Sequence, residues 1–232
     1  MDESLKSLSC IVIFEVQRYS MAIDIIEKLK WRYATKNFDP SKKISEEKLH
    51  ILKHSFNLTA TSYGLQPIKM VLIGSSDIKN QLVPLTMNQP QVLNASHVIV
   101  LCIEKNVTDG YIKKYFSNVE TTRKTPREIL DPFERFLVDS FSEMPEENII
   151  TWASKQAYLA LGNLLTVCAV ENIDACPIEG FEPEKYDALL NLEEKGLKSV
   201  LVMAVGYRDE NDEFAKMKKV RLGIDEVVIE IK

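Results

Sequence analysis

The stretch "TWASKQAYLALGNLLTVCAV" (residues 151–170), followed by "ACPIEGF" (175–181), decides how this chain can fold. Apolar residues lie on nearly every side of a helix drawn from Trp152 to Val170, which predicts a long helix at the centre of the core. The next segment places Pro, a lone acid and Gly among apolar neighbours, and "EPEKYDALL" then predicts a further helix. We interpret 175–181 as a buried loop whose backbone N–H and C=O groups need hydrogen-bond partners.

The composition is typical of a globular protein with one large domain or two small ones. The chain has 232 residues, of which 45% are hydrophobic, so it can bury a sizeable core. The formal net charge of -5 gives no general attraction to nucleic acid or to an anionic membrane. No apolar run reaches the ~18 residues that a membrane-spanning helix needs. We therefore expect neither a nucleic-acid partner nor a membrane partner.

Cysteine usage favours a cytoplasmic protein. The cysteines are Cys10, Cys102, Cys168 and Cys176, and they form no CxxC pair and no spacing typical of a metal site. Three of them lie in apolar runs. We interpret them as reduced residues, mostly of the core, because structural disulfides are rare in the cytosol.

The N-terminal segment is separate in pattern from the rest of the chain. Its apolar stretch is short and is followed closely by Glu15, which is unlike a secretory signal peptide. Clean helical periodicity begins at Met21. We therefore interpret residues 1–20 as an N-terminal extension and residues 21–232 as the folded domain.

Four short apolar runs predict strands, and long helical stretches separate them. The runs are "IKMVLIG" (68–74), "HVIVLCIE" (97–104), "KSVLVMAVGY" (198–207) and "EVVIEIK" (226–232). Helices are predicted from Met21, after an N-cap at Ser45 and through the charged stretch 109–142. The last run has no hairpin partner nearby, so it must pair at long range, either within the chain or with another subunit. This order of elements predicts a single α+β or α/β domain.

Common catalytic and nucleotide-binding motifs do not explain the chain. The sequence has no GxSxG, GxGxxG or GxxxxGK, which argues against a hydrolase triad, a Rossmann fingerprint and a P-loop. His50 and His54 have the i, i+4 spacing of a helical metal site, but they lack a zincin glutamate and a third ligand. We favour a surface pair, and we expect no metal site. His97 begins a strand and is interpreted as structural.

Two basic clusters far apart in the sequence could together hold a phosphate. "WRYATKNFD" places Arg32 and Lys36 at the end of a helix, and "KKVR" places Lys219 and Arg221 before the last predicted strand. Each cluster alone is typical of a solvated face. If the fold brings them together, three charge-assisted contacts of ~1.5–3 kcal/mol each would suffice to anchor a phosphate dianion.

Two polar segments could bind a heterocycle. "TATSYGLQP" (59–67) supplies hydroxyls and exposed backbone amides, and "MNQPQVLNAS" supplies Asn88 and Gln91. Side-chain amides both donate and accept hydrogen bonds, as an edge with alternating C=O and N–H groups requires.

The order of several short motifs resembles a known family. The motifs are "RYATKNFD", "LQP", "NQPQVLNASHVIV", "KQAYLALGNLL", "PIEGF", "EKG" and "KKVRL". These motifs occur in the order and at the spacing that is typical of the FMN-dependent nitroreductases, which residues 21–232 therefore resemble. Within that family the chain resembles the branch that contains oxygen-insensitive NAD(P)H nitroreductase and dihydropteridine reductase. Each motif is weak alone, and the ordered set is specific.

The resemblance implies a fold and an assembly. It implies an α+β, three-layer, nitroreductase-like fold in which helices wrap a central mixed sheet. It also implies a homodimer whose interface includes the long core helix, with the C-terminal strand extending onto the partner subunit. FMN would bind at that interface and use residues of both subunits.

The resemblance also implies roles for individual residues. A backbone N–H at Glu179 would point at flavin N5, the atom that receives hydride, and Gly180 would permit close approach. Lys36 would lie near the N1–C2=O edge and stabilise negative charge on the reduced flavin. The phosphate would be held by Arg32, Lys219 and Arg221. The implied cofactor-binding positions are Arg32, Tyr33, Ala34, Lys36, Thr61, Ser62, Gly64, Asn88, Gln91, Pro177, Ile178, Glu179, Gly180, Lys219 and Arg221, with Thr61, Ser62 and Gly64 supplied by the other subunit.

Several positions depart from the family pattern. Ala34 stands where the family usually has Ser, Gly64 where it often has Asn, and Gln91 where some close relatives have Lys. These changes bear on FMN affinity and flavin potential. The region 109–145, which forms the helical lid over the substrate in the family, matches least. Its phenylalanines are candidates either for a gate or for the core, and they are Phe133, Phe136 and Phe141.

The implied activity is ping-pong hydride transfer. NADH or NADPH would reduce FMN, and a nitroaromatic, quinone or pterin-like acceptor would then take the hydride, with no obligatory side-chain acid or base. The sequence has no dinucleotide fingerprint that distinguishes NADH from NADPH. The alternatives are a flavin reductase or dehydrogenase-like enzyme of the same fold, a flavin-binding protein without turnover, and a purely structural dimer.

Overall fold

The structure is a computed structural model that describes residues 23–232. The predicted extension 1–20 and the predicted helix start at Met21 lie outside the described residues. The helices are α1 (Ile25–Trp31), α2 (Glu46–Asn57), α3 (Ser76–Leu82), α4 (Gln91–Asn94), α5 (Asp109–Arg123), α6 (Arg127–Ser142), α7 (Glu146–Val170), α8 (Pro183–Leu189) and α9 (Ile224–Val227). The strands are β1 (Ile68–Ile73), β2 (His97–Glu104), β3 (Asp174–Ile178) and β4 (Leu197–Gly206).

The strands form one sheet in the order β1-β2-β4-β3. Every neighbouring pair is antiparallel; Val98 lies opposite Ala204, and Cys176 lies opposite Ala204 on its other side. The predicted α+β class is confirmed. The expected mixed sheet is antiparallel among these strands, and parallel pairing in residues 23–232 is limited to an isolated bridge between Ala34 and Ala175.

Alternate residues of the central strands face two different cores, which makes the fold three layers deep. Ile99 and Leu101 of β2 pack in the cluster that contains α7. Val98 and Val100 pack on the opposite side with residues of α3 and α8, including Leu82. A strand that is covered on both faces has no solvent-facing side, so it is apolar throughout rather than alternating. This burial explains why 97–104 could be predicted from its continuous apolar run.

Helix α7 lies on the sheet but is not buried on all sides. Small residues, among them Ala153, Ala157 and Ala160, are fully buried and bring the helix backbone close to β2 and β4. The prediction that the helix is central to the core is confirmed for this face. On the other face, Tyr158 and Leu159 are exposed, so the expectation of a helix buried on nearly every side is wrong for the described chain.

Three predicted strands are confirmed as β1, β2 and β4, and the prediction of a loop that begins at residue 175 is wrong. Residues 174–178 form β3 rather than part of a loop, because they complete the sheet beside β4. Pro177 is tolerated there because β3 is an edge strand, where a residue without an N–H does not interrupt the sheet. The run 226–232 pairs with no strand within residues 23–232: α9 takes up its start, and residues 228–232 are exposed. Its pairing with another subunit stays a prediction.

The described cysteines are buried free thiols, as expected for a reduced core. They are Cys102, Cys168 and Cys176. Burial raises the pKa of Cys102 and of Cys168 to about 12, so both remain protonated near neutral pH. None of the helices between residues 23 and 232 is long and apolar enough to cross a lipid bilayer.

Candidate functional site

The two basic clusters meet in one cavity of about 350 Å³. One wall is the end of α1 with the segment that follows it, and the other is the 3₁₀ turn Glu213–Lys216 with the segment that follows it. The implied binding residues in its lining are Arg32, Tyr33, Ala34, Lys36, Lys219 and Arg221, joined by Lys30 and Lys218. No acidic side chain lines this cavity within the described part of the chain. The arrangement concentrates positive charge in one concave site, which suits an anion.

The basic side chains of the cavity destabilise one another's charge. Burial lowers the pKa of Arg32, and the nearby charge of Arg221 lowers it further. The pKa of Lys219 is also lowered by burial and then by Arg32 and Arg221. The Lys219 ammonium donates a hydrogen bond to the backbone carbonyl of Arg32, which links the two walls directly. A dianion between them would relieve this repulsion with charge-assisted hydrogen bonds.

A second arginine stiffens the wall that follows α1. The guanidinium of Arg208 lies 4.3 Å from the ring centre of Trp31 and 4.6 Å from that of Tyr33. Its Nη2 atom is 2.6 Å from Asp174 Oδ1, and its Nε donates to the same oxygen at 2.8 Å. The Arg208 guanidinium is therefore paired with the Asp174 carboxylate and stacked between aromatic rings. Its charge is balanced within the protein and does not depend on a ligand.

Strand β3 connects the basic cavity to the loop that begins at Glu179. Ala34 of the cavity wall bridges Ala175 near the start of β3. Strands rise by ~3.3 Å per residue, so Glu179 lies roughly 13 Å further along the same edge of the sheet. The backbone N–H of Glu179 has no hydrogen-bond partner among the described residues. The loop thus offers a donor at a fixed distance from the basic cavity.

Gly180 is closely packed against the segment that contains Met87. A Cβ atom at Gly180 would lie 3.0 Å from the Met87 sulfur, and the Gly180 carbonyl accepts a hydrogen bond from Gln89 Nε2 at 3.2 Å. The Glu179 carboxylate accepts a hydrogen bond from the Tyr158 hydroxyl of α7 at 2.7 Å. These contacts fix both sides of the loop from neighbouring elements.

The implied residues Asn88 and Gln91 differ in their surroundings. Asn88 is exposed and adopts a left-handed backbone, with φ of 56°. Gln91 is only 6% exposed, and its Oε1 atom has no hydrogen-bond partner in residues 23–232. A buried amide oxygen without a partner is costly, so Gln91 is the better indication of a ligand.

The implied residues Thr61, Ser62 and Gly64 lie away from the basic cavity and are absent from its lining. The Ser62 N–H donates to Gln156 Oε1 of α7 at 2.8 Å, and Thr61 Oγ1 accepts from the Gln66 N–H at 3.1 Å. Within one chain, this turn therefore does not lie in the basic cavity. The expectation that the turn serves a partner subunit's site stays a prediction.

The lid phenylalanines divide between core and surface. Phe141 is 4% exposed and packs in a hydrophobic cluster with α5. Phe133 and Phe136 are 44% and 56% exposed, and their rings stack with centres 6.2 Å apart. Tyr63 lies 6.3 Å from Phe133, centre to centre. Only the two exposed phenylalanines remain candidates for a gate.

The histidine pair lies on the surface, as favoured from the sequence. His50 Nε2 and His54 Nε2 are 3.0 Å apart on α2. No group of three or more His, Cys, Asp or Glu side chains that could hold a metal ion occurs in residues 23–232.

Comparisons with known proteins agree with this architecture. The Nitroreductase family model matches residues 29–207, so the chain belongs to the Nitroreductase family. An oxygen-insensitive NAD(P)H nitroreductase of Salmonella typhimurium is 31% identical over 90% of this chain and 100% of that protein. A Staphylococcus haemolyticus protein whose name assigns it to the NAD(P)H nitroreductases is 34% identical over 90% of this chain and 98% of its own length.

A solved structure from Exiguobacterium sibiricum supports the same relationship. That nitroreductase-type protein, in complex with FMN, superposes with a TM-score of 0.78. The two sequences are 25% identical, and the match covers 90% of this chain and 98% of the other.

Sequence reasoning missed the side chains that hold the site in place. Arg208 comes shortly after the last buried residues of β4, and its place in the sequence is typical of a surface cation at the end of a strand. Tyr158 lies within the apolar pattern of α7 and was interpreted as core. A signal was available for Tyr158, since its position falls on one helical face with Lys155 and Gly162, which the structure exposes.

We expect Gly64→Ala to destabilise the protein by about 1–3 kcal/mol. Gly64 has φ of 73°, and an added Cβ would lie 2.5 Å from the Tyr115 hydroxyl oxygen. This close contact also explains why Gly stands here. Chemical denaturation would measure the change.

Gly110→Ala provides the matched control, because the nearest atom to an added Cβ there is Thr108 Oγ1 at 3.8 Å, an ordinary contact. That substitution lies inside α5 and should be neutral or stabilising by about 0.5–1 kcal/mol. Equal effects of the two substitutions would contradict the assigned packing of Gly64.

Proposed function

We propose that this protein is an FMN-dependent oxidoreductase that draws electrons from NADH or NADPH and reduces flat, electron-poor acceptors. Nitroaromatics, quinones and pterin-like compounds form the acceptor class. The observation that carries the proposal is the meeting of two basic segments, one beside Arg32 and one beside Arg221, in one cavity. Its wall at Ala34 bridges β3, the strand that leads to the unpaired backbone donor at Glu179. Family membership and the FMN-bound structural relative support the same cofactor.

The residues present fit FMN in three respects. The cavity offers Arg32, Lys219 and Arg221 to a phosphate dianion. The buried Gln91 amide has an oxygen without a partner, which a ring N–H could supply. The backbone N–H of Glu179, which has no partner among the described residues, offers a hydrogen-bond donor to the ring.

The chain's own groups bind and orient the cofactor rather than transfer protons. Bound FMN supplies two-electron hydride chemistry at its N5 atom. The Glu179 backbone N–H orients that edge of the ring, and the Lys36 ammonium stabilises negative charge gained on reduction. The Glu179 carboxylate already accepts a hydrogen bond from Tyr158. No side-chain acid or base is required, because solvent can supply protons.

We propose that exposed aromatic side chains line the site that receives the acceptor. Phe133 and Phe136 of α6 stack, and Tyr63 packs edge-on against Phe133. Aromatic faces bind flat molecules by stacking and apply little selection beyond shape. This lining favours a broad acceptor range.

We propose that the active form is a homodimer with cofactor sites between subunits. All residues from 213 to 232 are exposed, and they include Val220, Leu222, Ile229 and Ile231. An isolated subunit would leave this apolar segment in water, which is unfavourable. The exposed face of α7, with Tyr158 and Leu159, offers a second apolar surface for the partner.

The C-terminal segment would complete the partner's sheet. Val228 has an extended backbone conformation. If residues 228–231 continue it, their side chains point alternately to the two faces of a strand. Strand β1 is an edge of the sheet, whereas the edge at β3 is partly covered by the bridge from Ala34. We assign β1 as the edge that receives the partner's segment, since uncovered edges favour such pairing.

The decisive experiment is the visible spectrum of the purified protein after FMN is added and excess is removed by desalting. We expect a retained flavin spectrum that bleaches when NADH or NADPH is added without oxygen. Retained flavin that does not bleach would indicate a binding protein without turnover. Flavin that exchanges during turnover would indicate a flavin reductase, and a colourless protein would overturn the site assignment.

Arg221→Ala should give a folded protein that retains little FMN, because it removes a phosphate-binding cation. Loss of a charge-assisted hydrogen bond costs about 1.5–3 kcal/mol, which corresponds to about a 10- to 150-fold weaker affinity. Lys216→Ala is the control, since Lys216 belongs to the same segment but lies outside the cavity lining. Full flavin retention by Arg221→Ala would show that the phosphate assignment is wrong.

Leu159→Glu should convert the protein to monomers that retain little FMN. Leu159 is 55% exposed on α7, and a buried unpaired carboxylate would oppose association. Light scattering would measure the mass of the protein in solution. Visible absorbance would measure the bound flavin. Ile78→Glu on α3, on the other side of the sheet, should leave the dimer intact. A dimeric Leu159→Glu protein would contradict the proposed interface.

A further inference from the structure

A single buried carboxylate joins the two walls of the basic cavity. Asp212 is 0% exposed. Its Oδ2 atom accepts hydrogen bonds from the Tyr33 hydroxyl at 2.8 Å, from the Lys36 N–H at 3.0 Å and from the Asn37 N–H at 3.1 Å. Its Oδ1 atom accepts one from the Phe214 N–H at 3.1 Å. The side chain is therefore bonded to both sides of the site.

These contacts tie together segments that are distant in sequence. The bonds to residues 33–37 fix the wall that carries Arg32 and Lys36. The bond to Phe214 caps the 3₁₀ turn Glu213–Lys216, from which the chain runs directly to Lys219. Asp212 therefore connects the two segments that carry the cations.

The Asp212 side chain is held as a carboxylate. Burial alone would raise the pKa of Asp212, but the hydrogen bonds from Asn37, Lys36 and Tyr33 outweigh burial, so its pKa lies below the ordinary value. A hydroxyl and backbone amides, rather than the basic side chains, are its hydrogen-bond donors. The cations of the cavity therefore remain available to a ligand.

We propose that Asp212 is a positioning residue that holds the two basic walls at the separation required to bind the phosphate of the cofactor. This inference rests on the proposed function. A carboxylate near a phosphate site is unfavourable by charge alone, since like charges repel. Its place there is explained by geometry, because it aligns several backbone donors and, through them, the side chains of the site.

The two physical effects of Asp212 predict opposite results for Asp212→Asn. If charge dominated, removing a negative group would strengthen anion binding. If positioning dominates, anion binding weakens, because the Asn amide NH₂ group cannot accept the hydrogen bonds that one carboxylate oxygen accepts. We expect weaker binding.

The experiment compares FMN with riboflavin, which has the same ring but no phosphate. Flavin fluorescence titrations would be made with the full-length wild-type protein, with Asp212→Asn and with Glu213→Gln. We expect Asp212→Asn to lower FMN affinity by about tenfold or more and to leave riboflavin affinity nearly unchanged. Glu213→Gln removes a neighbouring negative charge from an exposed side chain paired with Lys216, and it should bind FMN like the wild type.

Several outcomes would overturn the inference. Unchanged or tighter FMN binding by Asp212→Asn would refute positioning, and an equal loss of riboflavin affinity would indicate only general structural damage. A wild-type protein that binds FMN no better than riboflavin would instead refute the phosphate assignment, and this inference with it. The wild-type titration therefore separates a failure of the proposed function from a failure of the role of Asp212.

Two further measurements cover a variant that folds poorly. Tyr33→Phe removes one of the bonds to Asp212 and should cause a smaller loss of FMN affinity with riboflavin unaffected; no loss would contradict the proposal. In ligand-free Asp212→Asn, the amides of Lys36 and Asn37 should exchange with deuterium faster than in the wild type. Unchanged exchange would show that Asp212 does not hold this wall.

Discussion

The packing of α7 against β2 and β4 is the constraint on which the rest of the structure depends. Ala153, Ala157 and Ala160 let the helix approach the sheet, and the opposite face of the sheet is covered by the layer that includes α3 and α8. This packing places β3 directly after α7, at the edge of the sheet beside β4. Both the basic cavity at one end of β3 and the loop at its other end are consequences of that placement.

The site is assembled from elements that are individually unremarkable in sequence. Basic residues at the end of α1 and in the C-terminal segment converge because Asp212 and Lys219 bond the two segments to each other. The bridge at Ala34 attaches the first segment to the edge of the sheet. Electrostatics then favours an anion in the cavity. Neighbouring cations lower the pKa of Arg32 and of Lys219, and a bound anion would stabilise their charged forms. The proposed cofactor chemistry follows from this preorganised charge and from the backbone donor at Glu179.

The sequence predicted much of the fold because the central strands are buried on both faces and read as continuous apolar runs. It failed at β3, where Pro177 and the shortness of the strand are typical of a loop. At 226–232 the alternation describes how a segment would pair but not whether its edge lies in the same chain or in a partner, so that pairing stays a prediction. The basic clusters were found from composition and spacing, whereas Asp212 was not, since "RDENDE" contains several acids and burial selects only one of them.

The position of Lys219 and Arg221 on the exposed C-terminal segment couples two equilibria. The segment contributes one wall of the basic cavity and also carries the apolar residues that we assign to the partner subunit. Any ligand that orders this segment lowers the entropic cost of association, and association in turn favours the ligand by the same free energy. Cofactor content would then rise with protein concentration, so that dilution alone releases flavin from an otherwise intact fold.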